Sequence, residues 1–365
     1  MEKQGRVYVC HTYYHVFVAY LKELNLENRG EAADMVISTM STDFESFPDR
    51  VKESGVFRDV ILFDEKRESE FPDLLKYRED KGNIISNMIS RIKFTKKFAK
   101  ALEPYVPVDF SKYKDVYVFC DTDPVGYYLN YKHIYYHAVE DGLDTLSVAV
   151  YAKYDNRGHF GLKKFLSKKC NLIFIRDGYG KYCLDMEVND LSVIDDEPDV
   201  YKEVPRNALM DALGEKEKEI IIRTFVRNYD ELIRMEGNID EKEKNILILT
   251  EPLTPSFDTR EKIFRDLVCE YEKEGRVFLK PHPRDSLDYP VRFADVPQFD
   301  RTIPMEIFNF FDKIRFGKIV SVYTQLGAVR FAKEKVTLGD DFMDKYEDPA
   351  IHRKREVLDA EMKKG

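Results

Sequence analysis

The chain has 365 residues, of which 43% are hydrophobic and 34% are charged, and its 58 basic residues against 67 acidic ones leave a net charge of −9. This length is about twice that of a typical domain and predicts two domains, each large enough to bury its own core. The acidic balance excludes general nucleic-acid binding, which depends on a basic surface.

The cysteines and the apolar runs indicate the cellular location in which the protein is expected. The five cysteines are scattered and show no CxxC spacing, so neither a disulfide framework nor a zinc site is expected. No apolar run approaches the roughly 20 residues that cross a bilayer. Met1 leads within a few residues into a strand-like run and not into a signal peptide. We therefore expect a cytoplasmic protein, and we leave peripheral contact with a membrane open.

In the first half of the chain, short apolar runs alternate with helical patterns. The apolar runs predict strands over residues 6–10, 33–38, 60–63, 116–120 and 134–139. The patterns between them predict helices over residues 16–24, 44–54 and 83–102. This alternation predicts a largely parallel, doubly wound sheet.

The second half repeats the alternation after an acidic, irregular stretch at residues 187–215, which predicts the linker between the domains. The predicted strands are residues 245–249, 276–279 and 318–322, and the predicted helices are residues 215–235, 260–274 and 304–311 and the charged tail from residue 346. We therefore predict an α/β fold of two Rossmann-like domains, residues 1–205 and 206–365, that face each other across a cleft. The chain has no GxGxxG fingerprint after its first strand and no Walker A loop, which disfavours a nicotinamide or P-loop site.

The first candidate motif, Glu140-Asp141-Gly142, follows the strand predicted over residues 134–139. Ligands of open α/β sheets bind at the carboxyl ends of the strands, and the glycine permits a sharp turn there. Asp141 could deprotonate a hydroxyl group, while Glu140 could hold a ligand hydroxyl or the local backbone. The same residues would also suit a plain acidic turn.

The second candidate motif, Lys280-Pro281-His282-Pro283, follows the strand predicted over residues 276–279. Prolines on both sides hold His282 on a stiff loop, which suits catalysis or phosphate binding. Because imidazole titrates near neutral pH, His282 could protonate a leaving phosphate or stabilise its charge, and Lys280 adds positive charge beside it. A rigid strand exit with an exposed histidine would explain the same pattern.

Two further strand exits carry polar residues. Ser321 and Thr324 offer hydroxyl groups near a predicted helix start, where an anion could bind, although Thr324 could equally be an ordinary N-cap. Glu251 and Pro252 follow the strand over residues 245–249 and could contact a bound nucleotide or form a simple turn.

The loop after the first strand reads Cys10-His11-Thr12-Tyr13-Tyr14-His15. Thr12 would lie at the same sheet edge and could contact a ligand. His11 and His15 stand at positions i and i+4, but two histidines without a third ligand make a metal site a weak interpretation. The helix predicted over residues 83–102 has a basic middle that could attract an anionic membrane or acceptor, or could be a solvated face.

Taken in order, these motifs resemble those of bacterial sialyltransferases, most closely glycosyltransferase family 52. That family carries a D/E-D/E-G motif in its first domain, then an HP motif and a Ser/Thr-rich motif in its second, to which Glu140–Gly142, His282–Pro283 and Ser321–Thr324 are similar. The loop at residues 10–15 is similar to the family's Cys-x-Thr-Pro loop, with Tyr13 replacing the proline. The chain departs from the family in the third motif, where Tyr323 precedes Thr324.

The resemblance implies a GT-B fold and an inverting, metal-independent transfer of sialic acid from CMP-sialic acid to a hydroxyl of an acceptor glycan. Asp141 would take the hydroxyl proton, His282 would stabilise or protonate the leaving phosphate, and Ser321 and Thr324 would hold that phosphate. No cofactor is implied. The further substrate-binding residues that it implies are Thr12, Glu140, Gly142, Glu251, Pro252, Lys280 and Pro283.

The resemblance also implies a setting. The partners would be the nucleotide-sugar donor and an acceptor oligosaccharide of bacterial capsule or lipooligosaccharide, made in the cytoplasm or at the inner face of the membrane. A homodimer stays open. So do transfer from another nucleotide sugar and a non-catalytic module that binds nucleotides or glycans. A hydrolase that handles phosphate with His282 is disfavoured, because the sequence has neither a metal-ligand cluster nor a nucleophile elbow.

Overall fold

A computed structural model of the protein describes residues 4–26, 32–141, 159–175, 177–192, 200–229, 244–311 and 314–353. The chain divides into two compact units, Met1–Leu213 (unit 1) and Gly214–Gly365 (unit 2). Each unit contains one parallel β-sheet. Gly142 of the first motif lies outside the described residues.

Unit 1 is built on a seven-stranded sheet with the order β3-β2-β1-β4-β5-β6-β7. Its strands are β1 (Gln4–Cys10), β2 (Ala33–Ser38), β3 (Phe57–Phe63), β4 (Tyr113–Phe119), β5 (Tyr136–Val139), β6 (Cys183–Val188) and β7 (Tyr201–Glu203). Its helices are α1 (Tyr13–Leu24), α2 (Phe47–Glu53), α3 (Pro72–Leu75), α4 (Ile84–Leu102), α5 (Pro124–Tyr131), α6 (Phe160–Lys168) and α7 (Arg206–Asp211). The chain adds β2 and β3 on one side of β1 and then β4 to β7 on the other side, which is a doubly wound arrangement.

The strands of unit 1 are apolar because helices cover both faces of the sheet. All six residues of β2 are buried. Val7 and Val9 of β1 pack with Val116 and Val118 of β4 in a cluster that includes Tyr136 of β5. This core fixes the carboxyl ends of β1, β4 and β5 side by side, where the candidate residues of unit 1 lie.

Unit 2 is built on a four-stranded parallel sheet with the order β11-β10-β8-β9. Its strands are β8 (Asn245–Leu249), β9 (Arg276–Lys280), β10 (Phe316–Ser321) and β11 (Ala332–Thr337). Its helices are α8 (Glu215–Phe225), α9 (Phe257–Tyr271), α10 (Tyr289–Arg292), α11 (Gly339–Met343) and α12 (Pro349–His352), and residues Met305–Phe310 form a 3-10 helix. The two parallel α/β sheets confirm the predicted fold class.

The division between the units falls within the linker predicted over residues 187–215, but this stretch is not irregular throughout, because it contains the edge strand β7 and the helix α7. The helix stays with unit 1, since the side-chain amide of Asn25 donates to the Leu209 carbonyl over 2.9 Å. The division between the units accordingly lies after Leu213 and not at the predicted boundary between residues 205 and 206.

Candidate active site

The candidate residues of unit 1 lie at the carboxyl edge of its sheet. Thr12 follows β1 and is the N-cap of α1, where its hydroxyl accepts a hydrogen bond from the His15 amide over 3.2 Å. Thr12 therefore has a capping role, which orients the first turn of α1. Its contact with a ligand stays a prediction. That turn directs His15 toward the end of β5.

His15 and Asp141 form a hydrogen-bonded pair at this edge. The His15 side chain is buried, its ring stacks on Phe119, and its Nε2 contacts Asp141 Oδ1. The His11 amide donates to His15 Nδ1 over 3.0 Å. Because a backbone N–H can only donate, Nδ1 must be the acceptor, and Nε2 carries the proton that is donated to Asp141. Asp141 is thus held in one orientation while a quarter of its side chain stays exposed.

His11 forms a second pair, with Glu65 after β3. Its Nε2 lies 2.7 Å from Glu65 Oε2, and both side chains are buried. Burial would lower the pKa of His11, but the charge and hydrogen bond of Glu65 outweigh it and raise the pKa to about 9. Glu65 also accepts from the Ser38 hydroxyl and the Val125 amide, and against burial its pKa is lowered by His11 and these donors. This buried ion pair fixes the loops after β1, β2, β3 and β4 to one another.

Glu140 points into the interior of unit 1. Its Oε2 accepts from the Asn189 amide over 2.9 Å, and its Oε1 lies 4.0 Å from the Arg206 guanidinium. Burial raises the pKa of Glu140, and the charge of Arg206 opposes that rise. Of the two predicted roles for Glu140, this placement favours holding the local backbone over contact with a ligand.

The exit of β4 adds acidic residues, in a stretch from Asp121 to Pro124 whose sequence predicts only a break after the strand. Asp121 accepts from the Tyr136 hydroxyl and the Gly178 amide, and Asp177 accepts from the Thr122 amide and hydroxyl. Burial raises the pKa of both carboxyl groups. Asp121 and Asp177 therefore form a buried, hydrogen-bonded framework beneath the carboxyl edge of the sheet.

Asp123 is the member of this group that faces the candidate site. Its Oδ2 lies 3.7 Å from His11 Nε2, and 31% of its side chain is exposed. Burial raises the pKa of Asp123 to about 7 against the favourable charge of His11, with Glu65 and Asp141 adding to the rise. A signal for this residue was present in the sequence, because Asp123 and Pro124 at the start of a helix put a carboxylate at a strand exit.

In unit 2, His282 occupies the turn after β9. Its amide donates to the Thr250 hydroxyl over 3.2 Å, and its Nδ1 accepts from the Arg284 amide over 3.1 Å. Nδ1 is therefore unprotonated in this arrangement, and Nε2 bears the proton. His282 is partly exposed and presents a hydrogen-bond donor at the carboxyl edge of the sheet.

The neighbours of His282 hold the turn. Lys280 is buried, and its ammonium group donates to the carbonyls of Pro281 and Arg301, each over 3.1 Å. Burial lowers the pKa of Lys280 to about 8 against the charges of Asp300 and Glu306. Lys280 thus joins two loops, whereas Pro283 is partly exposed.

The turn after β10 is bound to Glu251. The amides of Tyr323 and Thr324 donate to the Glu251 carboxylate over 3.0 and 2.8 Å, and the buried Ser321 hydroxyl donates to the Thr324 carbonyl over 2.7 Å. Burial raises the pKa of Glu251, and the hydrogen bonds from Thr324 oppose this. A carboxylate therefore occupies the turn where the hydroxyl groups of Ser321 and Thr324 were predicted to bind an anion, and the helix predicted to start there is wrong, because β11 is the next element. Pro252 beside the carboxylate is exposed.

Unit 2 contains a cavity of about 830 Å³ next to the turn after β9. Its lining includes Pro281, Leu287, Tyr289, Phe299 and Arg301. The cavity therefore lies beside the loop that carries His282.

The described residues lack two kinds of feature. They contain no group of three or more His, Cys, Asp or Glu side chains arranged around a metal position. None of their helices combines the length and apolar character needed to cross a bilayer.

Known proteins match both the sequence and the fold. The model of glycosyltransferase family 52 matches residues 60–336 of the chain. The fold is similar to that of the alpha/beta-galactoside alpha-2,3-sialyltransferase of the luminous marine bacterium Photobacterium phosphoreum, with 13% identity, a TM-score of 0.54, and coverage of 92% of this chain and 91% of that one. At this identity the likeness concerns the fold.

Two other similarities are weaker. UDP-GlcNAc 2-epimerase from Neisseria meningitidis is 11% identical with a TM-score of 0.40, over 87% of this chain and 77% of that one. An uncharacterized protein of Haemophilus influenzae is 27% identical over 94 residues, which are 25% of this chain. The chain spans 30% of the length of that relative.

Proposed function

The chain belongs to glycosyltransferase family 52, and we propose that it transfers sialic acid from CMP-sialic acid to a hydroxyl of an acceptor glycan, with inversion and without a metal ion. The observation that carries the proposal is the His15–Asp141 pair, which fixes a partly exposed carboxylate at the sheet edge of unit 1. The sialyltransferase from Photobacterium phosphoreum, which has a similar fold, supports sialic acid as the transferred sugar.

Asp141 is the base of the proposed reaction. The acceptor oxygen forms the new bond to the anomeric carbon as its proton moves to Asp141. The bond from that carbon to the phosphate oxygen breaks, and CMP leaves with the electron pair. A base that is already held in position saves the cost of orienting it during the reaction. His15 is a positioning residue, because it acts on the substrate only through Asp141.

His282 stabilises the leaving phosphate. Its Nδ1 accepts from the Arg284 amide, so the ring is a neutral imidazole that donates through Nε2. Because a phosphate monoester has a second pKa of about 6, CMP can leave as an anion and needs hydrogen bonds more than a full proton. This geometry favours the first of the two roles predicted for His282, stabilisation of charge, over protonation.

In unit 2, the amides of Tyr323 and Thr324 are the groups proposed to donate hydrogen bonds to the phosphate of the sugar donor. They now hold the Glu251 carboxylate, which resembles a phosphate in charge and in its acceptor oxygens. The donor phosphate would replace that carboxylate, and Ser321 would support the turn from beneath. Backbone N–H groups and His282 supply the electrostatic stabilisation for which other transferases use a metal.

The remaining residues have supporting roles in this proposal. Thr12 caps α1 beside the acceptor, and Pro252 and Pro283 border the donor. Glu140 and Lys280 hold the loops that carry Asp141 and His282, and the role of Gly142 in a turn after Asp141 stays a prediction from the sequence. The acceptor would belong to a bacterial surface polysaccharide or lipooligosaccharide made on the cytoplasmic side of the membrane.

The first test is the melting temperature of the purified protein with CMP, UDP, GDP or ADP, each in the presence of EDTA. A ligand that binds the native state raises the melting temperature by mass action. At a concentration 100 times its Kd, it adds about 2.7 kcal/mol to the free energy of unfolding. Selective stabilisation by CMP is expected, followed by turnover of CMP-sialic acid in the same buffer.

Each other outcome has a definite meaning. Stabilisation by UDP or GDP instead of CMP would keep the glycosyltransferase and overturn the sialic acid donor. Turnover that EDTA abolishes and a divalent cation restores would overturn metal independence. CMP binding without turnover of CMP-sialic acid on any acceptor would favour a module that only binds nucleotides or glycans.

A further inference from the structure

Helix α4 exposes an unusual apolar start. Ile84, Ile85 and Ile89 are 43%, 70% and 49% exposed. Isolated exposed apolar residues are common on protein surfaces, but these three follow one another within two turns of one helix. Burying them would remove apolar surface from water.

The next turns of the same helix are basic. Residues 84–102 contain Arg91, Lys93, Lys96, Lys97 and Lys100 and no Asp or Glu, within a chain whose net charge is −9. Among the residues that the structure describes, no carboxylate lies within ion-pair distance of the four lysines, whereas other exposed lysines, such as Lys132 and Lys262, do have such a partner.

The isoleucines and the lysines share one face. Ile85, Ile89, Lys93, Lys96 and Lys100 follow one another at spacings of three or four residues, which brings them into one stripe along a helix. We call these five residues the α4 stripe, and all five are exposed.

The opposite face of α4 is anchored in unit 1. Phe94, Phe98, Ala99 and Leu102 are buried and pack in a cluster with Tyr127. The helix therefore cannot turn its stripe inward without losing this core, and the stripe remains available to a partner.

We propose that the α4 stripe docks on an anionic lipid bilayer, with the isoleucines in the headgroup boundary and the lysines on the lipid charges. An interfacial helix of this kind combines an apolar part with a Lys-rich part, and each lysine near an anionic surface contributes about 1 kcal/mol. The proposal concerns five residues that are not among the candidate site residues, and it does not depend on the transfer reaction.

Two other occupants fit the stripe less well. A second copy that met the same face of α4 would bring lysines against lysines, which is repulsive. A soluble polyanion would match the lysines but would leave the two isoleucines of the stripe in water. Only an anionic bilayer matches both halves of the stripe.

The test is cosedimentation of the full chain with vesicles of phosphatidylcholine alone or with phosphatidylglycerol added, without nucleotide or acceptor. We expect binding to the anionic vesicles that weakens with salt, because exposed charges are screened. The pair Lys96→Glu with Lys100→Glu should lower the affinity at least about 25-fold, since each lysine contributes about fivefold. The pair Ile85→Gln with Ile89→Gln should lower it without changing the salt dependence.

Matched controls remove the same groups elsewhere. Lys216 and Lys273 are exposed lysines, and Val291 is 71% exposed. Lys216→Glu with Lys273→Glu, and Val291→Gln, should bind vesicles like the unchanged protein. All variants should keep the circular dichroism and melting temperature of the parent, because only exposed side chains change.

Three results would overturn the proposal. One is equal binding to neutral and anionic vesicles, and another is no binding to either at low salt. The third is a dimer in sedimentation equilibrium without lipid that the isoleucine variants convert to monomers, which would assign the stripe to a second copy. If the vesicles bind but CMP fails to stabilise the protein, the membrane surface stands and the proposed donor fails.

Discussion

Asp141 is the residue on which the proposed chemistry depends. We expect Asp141→Asn to lower kcat by about 10²–10⁴-fold, because that is the usual contribution of a positioned general base. KM for the donor should change little, since the base acts on the acceptor. The measurement is steady-state turnover of CMP-sialic acid with a soluble acceptor. Turnover close to that of the parent would remove Asp141 from the base role.

His15 offers a finer test of the same site. The amide of a glutamine can replace the Nε2 donor of histidine, whereas that of the shorter asparagine cannot reach Asp141. We expect His15→Asn to lower kcat by about 10²-fold, as misplacing a reacting group does, and His15→Gln to recover much of the loss. The pH profile of kcat should shift in His15→Asn, because the hydrogen bond to Asp141 is lost. If both variants lose activity equally and melt early, His15 has only a packing role.

Glu251 occupies the amides that the donor phosphate is proposed to use. Hydrogen bonds to a charged acceptor are roughly twice as strong as neutral ones, so the neutral side chain in Glu251→Gln should be displaced from the amides more easily. We therefore expect Glu251→Gln to tighten CMP binding by about tenfold. Cytidine, which has no phosphate, should bind as before. The measurement is isothermal titration with both ligands.

Asp340 supplies the control for Glu251. It accepts from the Tyr323 hydroxyl over 2.8 Å and so lies beside the same turn without contacting its amides. If the affinity for CMP depends on occupation of the amides and not on the charge near the turn, Asp340→Asn should change that affinity by less than about twofold. Weaker CMP binding in Glu251→Gln would instead make Glu251 a direct contact of the nucleotide, as the sequence alone suggested.

The positions of the motif residues could be predicted, but their partners could not. Asp141 and His282 were found because each follows an apolar run, and strand exits are where ligands bind. His11 and His15 were read as weak metal ligands because they stand four residues apart. In the fold each contacts a carboxylate, but Glu65 is 54 residues from His11 and Asp141 is 126 residues from His15. Such contacts depend on strand order, which a single sequence does not reveal.

At the scale of elements, apolar runs were predicted as strands, including the edge strands β3 and β9, whereas the charged strands β6, β7 and β11 were not. Strands β2 and β8 lie at the predicted residues 33–38 and 245–249. Strand β11 was missed because Lys333, Glu334 and Lys335 interrupt any alternation of apolar residues, and such charges protect an exposed edge. Helix α5 was missed because Pro124 was read as a break, although proline suits the first turn of a helix.

The packing of α5 against the exit of β4 gives a test at the same scale. A Cβ atom at Gly126 would lie 1.7 Å from the Asp121 carbonyl oxygen, and moving backbone is costly. We expect Gly126→Ala to destabilise the protein by about 3 kcal/mol or more. Gly161 in α6 is the control, because nothing lies within 4 Å of its Cβ position. Gly161→Ala should be neutral or stabilise by up to about 1 kcal/mol, as measured by urea denaturation, and equal effects of the two changes would contradict the close approach.

Across the whole molecule, the carboxyl edge of unit 1 concentrates groups whose protonation changes on folding. Burial raises the pKa of Asp123 from its ordinary 3.8 to about 7. Asp123 therefore contributes most to stability when it is protonated, and this contribution is lost as the pH rises through about 7. Glu65 has the opposite sign, because its pKa is lowered in the fold and its contribution is lost as the pH falls through that lowered value.

His11 extends the loss of stability to higher pH. Glu65 raises the pKa of His11 from 6.5 to about 9 despite burial. The stability that His11 contributes is complete below about pH 6.5 and is lost as the pH rises through about 9. The contribution of Asp123 is lost between about pH 3.8 and 7. Together the two groups predict a melting temperature that declines from about pH 5 and is about 5 °C or more lower by pH 9.

Calorimetry across this pH range, with ionic strength held constant, measures the effect. Asp123→Asn should flatten the lower part of the decline, since it removes the group that titrates near pH 7. It should raise the melting temperature, relative to the parent, by more at pH 8 than at pH 5. A melting temperature that rises between pH 6.5 and 9 would contradict the buried His11–Glu65 ion pair. A flat profile in which Asp123→Asn has no effect would mean that the carboxyl edge of unit 1 is more open to water than the burial of Asp123 indicates.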